Sequence, residues 1–172
     1  MAAISKRVRA ALYGRLSARF NSTLAAICTR DSLTAFSIDF ASWPKSVNFF
    51  TGQLDPAEIE ESTPLKYPLV TLYTAGSVSQ CLQKPATFAG LVTAGIDVHL
   101  SWRGGNVSMD MEAMGDAVEE TMVSIMNDLT QQSWGANVIY DGKIRLQRGA
   151  QHFGAENWRQ LLRFSLNWEV VA

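Results

Sequence analysis

Asp97 and His99 stand two residues apart in an alternating stretch, so a strand would put both on one face, backbones about 7 Å apart. An aspartate beside a histidine can orient the imidazole as a general base. A base needs a reacting partner, and no nearby motif supplies a nucleophile. Ser101 shares the face but is not a nucleophile by position alone. The expectation is a polar strand face without catalysis. His152 is isolated, since Gln151 and Glu156 near it give no metal-ligand spacing. Gly104-Gly105 ends a strand and is not a phosphate loop, because neither GxGxxG nor GxxxxGK[ST] occurs. Lys143 and Arg145 alternate and can touch phosphates, but two such contacts bind weakly. A charged strand edge that resists aggregation accounts better for them. No cofactor or metal site follows from these residues.

The strand that positions Asp97 and His99 is Leu91–Trp102. Val92, Ala94, Ile96, Val98, Leu100 and Trp102 are apolar at every second position, which predicts one buried face and one wet face. Gly104-Gly105-Asn106 breaks it, and Met109–Leu129 follows as an amphipathic helix. Met111, Met114, Val118, Thr121, Met122, Ile125 and Leu129 fall within about 100° of arc, with Glu112, Asp116, Glu119 and Glu120 opposite. A methionine stripe can be an adaptable binding face. At helical spacing beside an alternating strand it reads as core. Leu162–Val170 alternates in the same way as the first strand and is its natural antiparallel partner.

The remaining chain supplies helix, strands and loops. Ile4, Val8, Leu12, Leu16 and Phe20 recur every four residues and predict a helix over 4–20. A four-residue step drifts about 40° per repeat, so Arg15 and Arg19 fall where the early stripe had been. A bend near Gly14 would relieve this, and Asn21-Ser22 reads as an end or a new cap. Ala35–Phe40 reads as a short strand, and Ser42–Lys66 as a long loop. Inside that loop, Asp55-Pro56-Ala57-Glu58 has the pattern of a capped single helical turn. Tyr67–Thr74 is a strand entered through Pro68, and Ala75–Thr87 a second loop. Asn137–Tyr140 and Lys143–Leu146 flank Asp141-Gly142, which predicts a two-residue hairpin. Gly149–Trp158 reads as a loop or short helix. The order predicts a single α+β domain over 1–172. Its antiparallel sheet is packed by the N-terminal helix and the second amphipathic helix on one face, with long loops.

With 172 residues, nearly half of them hydrophobic, the chain can bury a real core. No apolar run is long enough for a membrane span. The mixed apolar and basic N-terminus is not expected to be a secretory signal. Two cysteines without a CxxC argue against a disulfide framework and for assembly in a reducing compartment. Net charge of −1 names no partner, but its distribution is uneven. Residues 1–30 carry Lys6, Arg7, Arg9, Arg15, Arg19 and Arg30, while 109–129 carry six acids and no base. Solvated helix faces are the simple account, and attraction within or between subunits is the alternative.

The order of elements resembles the tail-terminator, minor tail and neck proteins of long-tailed bacteriophages. It is carried by an N-terminal helix, then a long variable loop and a strand entered through an x-Pro step, Tyr67-Pro68-Leu69-Val70-Thr71-Leu72. A long strand ending in a tryptophan follows, Ile96-Asp97-Val98-His99-Leu100-Ser101-Trp102, leading into a helix. A closing strand ends the chain, Arg163-Phe164-Ser165-Leu166-Asn167-Trp168-Glu169-Val170. The resemblance implies a virion protein, assembled in the host cytoplasm, that forms a ring, commonly a hexamer. Such a ring terminates the tail tube and joins tail to head. Its partners would be copies of itself, adjoining tail-tube and neck proteins, and DNA passing through the lumen without sequence-specific contacts. It implies no catalysis, cofactor or membrane. The segment Ser42–Lys66 is then expected to be an assembly element. Trp43, Phe49 and Phe50 would anchor it, while Asp55 and Glu58 would steer it toward a neighbour's basic helix bearing Arg7 and Arg15. The competing expectation is that the aromatics fold back on the subunit's own core. A small-molecule enzyme using Asp97 and His99, and an adaptor binding through the acidic helix or methionine stripe, are the other readings.

Overall fold

The computed structural model describes residues 4–40, 48–61, 66–81, 88–102, 107–127, 134, 137–154 and 157–170. The chain forms helix α1 (Ile4–Arg30), strand β1 (Phe49–Thr51), helix α2 (Pro56–Glu61), strands β2 (Leu69–Cys81) and β3 (Phe88–Trp102), and helix α3 (Val107–Met126). Strands β4 (Val138–Arg148), β5 (His152–Gly154) and β6 (Asn157–Val170) follow. This is an α+β fold with one open, mixed sheet of order β1-β2-β3-β6-β4, β5 lying beside β6. All pairs are antiparallel except β1 with β2, so the expected antiparallel sheet is mixed only at its β1 edge.

The two long alternating strands pair as expected, from Gly90 opposite Val170 to Trp102 opposite Trp158. Both α1 and α3 pack on one face of the sheet, the covered face. Val92, Ala94, Ile96 and Val98 of β3 and Leu162, Phe164, Leu166 and Trp168 of β6 are buried there. Each such aliphatic or aromatic side chain contributes about 1.5–3 kcal/mol by leaving water. On α3, Met111, Met114, Val118, Thr121, Met122 and Ile125 are buried, so the methionine stripe is core and not a surface for a partner. Leu129 lies outside the described residues.

Helix α1 is longer than its sequence pattern indicates and is unbroken through Gly14 and Asn21-Ser22. The polar residues that resemble stop signals are used in other ways. The hydroxyls of Ser17 and Ser22 donate to the carbonyls of Gly14 and Arg19 inside the helix. The Asn21 side chain donates to the carbonyl of Ile38 and accepts from its N–H, both at 2.8 Å. That pairing explains the next correction. Ala35–Phe40 has the alternating burial of a strand, with Ile38 and Phe40 inside, but joins no ladder. Asparagine amides serve its backbone instead, since Asn48 likewise bonds Asp39 N–H and the carbonyl of Ser37.

Three further expectations are corrected by the ladder. Residues 75–81, expected in a loop, continue β2 against β3, with a bulge between Thr74 and Gly76. Small polar residues carry no strand signature, but an ordered neighbour supplies their hydrogen bonds. The Asp141-Gly142 turn makes no hairpin, because both flanking segments pair with β6 in one direction. Tyr140 faces Trp168 and Ile144 faces Leu166, so Asp141, Gly142 and Lys143 bulge out opposite Asn167. Gly142 takes φ +78°, and the Lys143 N–H donates to Asp141 Oδ1 at 2.9 Å. The stretch 149–158 contains β5, hairpinned onto the start of β6.

The expected loop over 42–66 is partly structured. Asp55 caps α2 as its sequence indicates, its Oδ1 accepting from Ala57 N–H while Glu58 Oε2 accepts from Asp55 N–H. Ile59 is buried. Phe49 is 1% exposed on the covered face, its ring 5.5 Å from Tyr13 and 4.9 Å from Phe40.

Candidate functional site

The opposite face of the sheet, the open face, lies away from α1 and α3. Alternation places Leu69, Thr71 and Tyr73 of β2 there, with Thr93, Gly95, Asp97 and His99 of β3 and Leu161, Arg163 and Asn167 of β6. The wet face expected from the sequence is not wet at its centre. Leu69, Thr71, Asp97 and His99 are all buried. Part of the cover comes from Tyr73. The Tyr73 ring lies across Gly95, where a Cβ would come within 2.4 Å of it, and its hydroxyl reaches Asp97 Oδ1 at 3.0 Å. Gly95 is therefore needed for a close approach, which is the usual meaning of glycine inside a strand.

Asp97 is fully buried and held by a fork. Arg163, directly opposite in register, donates Nε to Oδ1 at 2.9 Å and Nη2 to Oδ2 at 2.8 Å. A bidentate guanidinium is among the strongest partners of a carboxylate. Their coupling drives Arg163 further toward its charged form. Burial, with Asp97 beside it, pushes the Tyr73 phenol up to about 12. Burial holds His99 down at about 4, against a smaller opposing pull from Asp97. Above that pH the imidazole is neutral, and its Nε2 is buried without a partner among the described residues.

The geometry answers the question raised by the Asp97–His99 spacing. The carboxylate faces Arg163 and Tyr73, and no hydrogen bond joins it to His99. A carboxylate committed to a guanidinium and a phenol is a poor orienter for an imidazole. The signals that sequence reading missed were Arg163 at the matching position of the partner strand and the mid-strand Gly95. Among the described residues no group of three or more His, Cys, Asp or Glu side chains is placed to hold a metal ion.

Toward one end the open face changes character. Val78, Leu91 and Ile139 are about half exposed and stand in one row across β2, β3 and β4, with exposed Glu169 of β6 between the last two. Beside them Thr93 Oγ1 donates to Asn167 Oδ1, and Asn167 Nδ2 reaches Asp141 Oδ2 at 3.4 Å. These residues line a shallow trough of about 510 Å³. Contiguous exposed apolar groups rimmed by polar ones mark interaction surfaces.

The residues expected at an assembly surface are scattered by the fold. Phe49 is inside the subunit, which corrects its assignment to an interface, whereas Phe50 alternates to the open face and is half-buried. Arg15 is also corrected. It is buried, with its guanidinium 4.2 Å from the centre of the Trp134 ring and its Nε donating to the carbonyl of Ile125 at 3.3 Å. The drifting helical stripe brings it into the core, where a π face and the end of α3 accommodate the charge. Asp55 and Glu58 remain exposed, and Arg7 is partly exposed. Trp43 lies outside the described residues. The opposite charges of α1 and α3 meet within the subunit, Arg30 forking Glu120 at 2.7 and 2.8 Å, while Arg148 binds Asp116 and Glu119.

No helix among the described residues is long and apolar enough to cross a membrane. No protein-family profile matches the sequence, and none of the curated proteins compared with it does.

Proposed function

We propose that this chain is a structural virion protein of a long-tailed phage, forming a homo-oligomeric ring at the tail end or neck. There it terminates the tail tube and joins tail to head, beside tail-tube and neck proteins, with DNA passing through the lumen. The observation that carries the reading is the row of exposed apolar side chains at one end of the open sheet face, Val78, Leu91 and Ile139. A subunit that leaves such a row exposed at one end of its sheet is suited to packing against neighbours. The order of elements, from the N-terminal helix to the closing strand, fits the phage resemblance. The commitment of Asp97 to Arg163 and Tyr73 favours architecture over the competing enzyme reading.

The test is mass in solution by light scattering, with negative-stain images of the purified protein and the identity of the neighbouring reading frames. Rings with a central opening, and neighbours that encode tail or neck proteins, are expected. A monomer at every concentration, or a gene set without virion proteins, would overturn the proposal.

A further inference from the structure

The trough on the open face and a groove beside α1 are complementary in charge. The trough is apolar with two carboxylates, Asp141 and Glu169, and no cation among its described lining residues. The groove, of about 310 Å³, runs between α1 and the edge formed by β1 and β2. Ala10, Tyr13 and Leu72 give it an apolar lining, with Lys6 and Arg9 as cations and no carboxylate among the described lining residues. Among the described residues Lys6, Arg9 and Glu169 have no ion-pair partner.

The two sites lie on opposite faces of one sheet. Ile4 at the start of α1 sits over Gly90 on the covered face, where an added Cβ would come 2.4 Å from its side chain. Leu91, the next residue, points from the open face into the trough. Two different surfaces on opposite faces cannot meet through a two-fold axis. Contact between them runs head to tail, and a head-to-tail contact closes into a ring or continues as a filament.

We propose that a second copy of this chain occupies the trough, presenting the Lys6 and Arg9 side of its α1 groove to Glu169 and the Val78, Leu91 and Ile139 row. This rests on the ring reading above and names the contact that would build the ring. Lys and Arg stems lie well on apolar surface while their charged ends reach carboxylates, which suits this pairing. The N-terminal helix thereby has a second role besides closing the core.

A charge exchange tests it. Glu169→Arg alone, and Lys6→Glu with Arg9→Glu, should each raise the concentration needed for half-assembly by about tenfold or more. The three substitutions together should restore assembly to within about threefold of the parent, because complementary charges again face each other. Lys6 and Glu169 are exposed and Arg9 is partly exposed, so thermal melting of the dissociated subunit should stay close to the parent's and separates assembly from folding. Parent rings that persist in both charge variants overturn the contact and leave the ring reading standing. Loss of assembly without recovery in the combined variant also overturns the contact. A parent protein that is monomeric throughout overturns the ring reading and this contact with it.

Discussion

The two faces of the central sheet are built from the same alternating strands, yet α1 and α3 both pack on one of them. On the covered face, Ile96 and Val98 lie among Leu162, Phe164 and the residues of α1 and α3, a dry layer of hydrocarbon. On the open face, Asp97 and His99 are just as inaccessible, but there the carboxylate is held by polar side chains of the sheet, Tyr73 and Arg163. The first face is stabilised by area removed from water. The second depends on geometry, since a buried carboxylate is tolerable only with its hydrogen bonds made. Alternation in a strand therefore distinguishes two faces, but it does not say that the polar one meets solvent.

The contrast should be breakable, most severely on the covered side. Val118→Asp on α3 places an unpaired carboxylate in hydrocarbon and should cost about 4 kcal/mol or more, enough to unfold a marginal domain. Soluble protein with a normal melting curve would show that this face is not core. Adjacent residues of β1 give a sharper comparison. Phe49→Ala truncates a buried ring and should cost about 3–5 kcal/mol in chemical denaturation. Phe50→Ala, on the half-buried open side, should cost about 1–2 kcal/mol. Equal losses would mean that the faces are energetically alike.

On the open side, Arg163→Ala removes the fork from a fully buried carboxylate. The expected loss is about 3 kcal/mol, at the low end for a buried pair because the arginine side chain is 36% exposed. Denaturation at neutral pH checks it, and an unchanged midpoint would mean that solvent already reaches Asp97. A pH-dependent effect concerns His99, whose folded value of about 4 lies below its ordinary 6.5. The unfolded chain therefore binds more protons between these values, and stability falls as pH drops from 6.5 toward 4. The neutral, folded form keeps its full contribution above 6.5. The loss across that window should be about 2–3 kcal/mol. Comparing the pH slope of the parent with that of His99→Gln isolates it from the carboxylates. Equal slopes would place His99 in contact with water.

How much was legible in the sequence differs between elements. The core of α3 was, because Met111, Val118, Met122 and Ile125 repeat at helical spacing. The cap on α2 was, because Asp55 and Glu58 act within four residues. The β4 hairpin was misread because Asp141-Gly142 suits both a reversal and a bulge, and only β6 alongside decides which. The end of α1 was misread because Asn21 bonds a segment seventeen residues away. Arg15 and Phe49 looked like surface anchors until the helix stripe and the β1 register carried them inward.

The sequence by itself determined the local matters: periodicity, capping, and the pairing of two long alternating strands. Hydrogen bonds and side-chain packing over a few residues set these, so a short window contains their cause. Only the tertiary structure decided that Arg163 faces Asp97, that Tyr73 covers Gly95, and that Val78, Leu91 and Ile139 share a row. Each of those follows from strand register, which brings together residues from distant parts of the chain. Register is fixed by the whole sheet closing on its core, since a one-residue slip would turn every side chain to the other face.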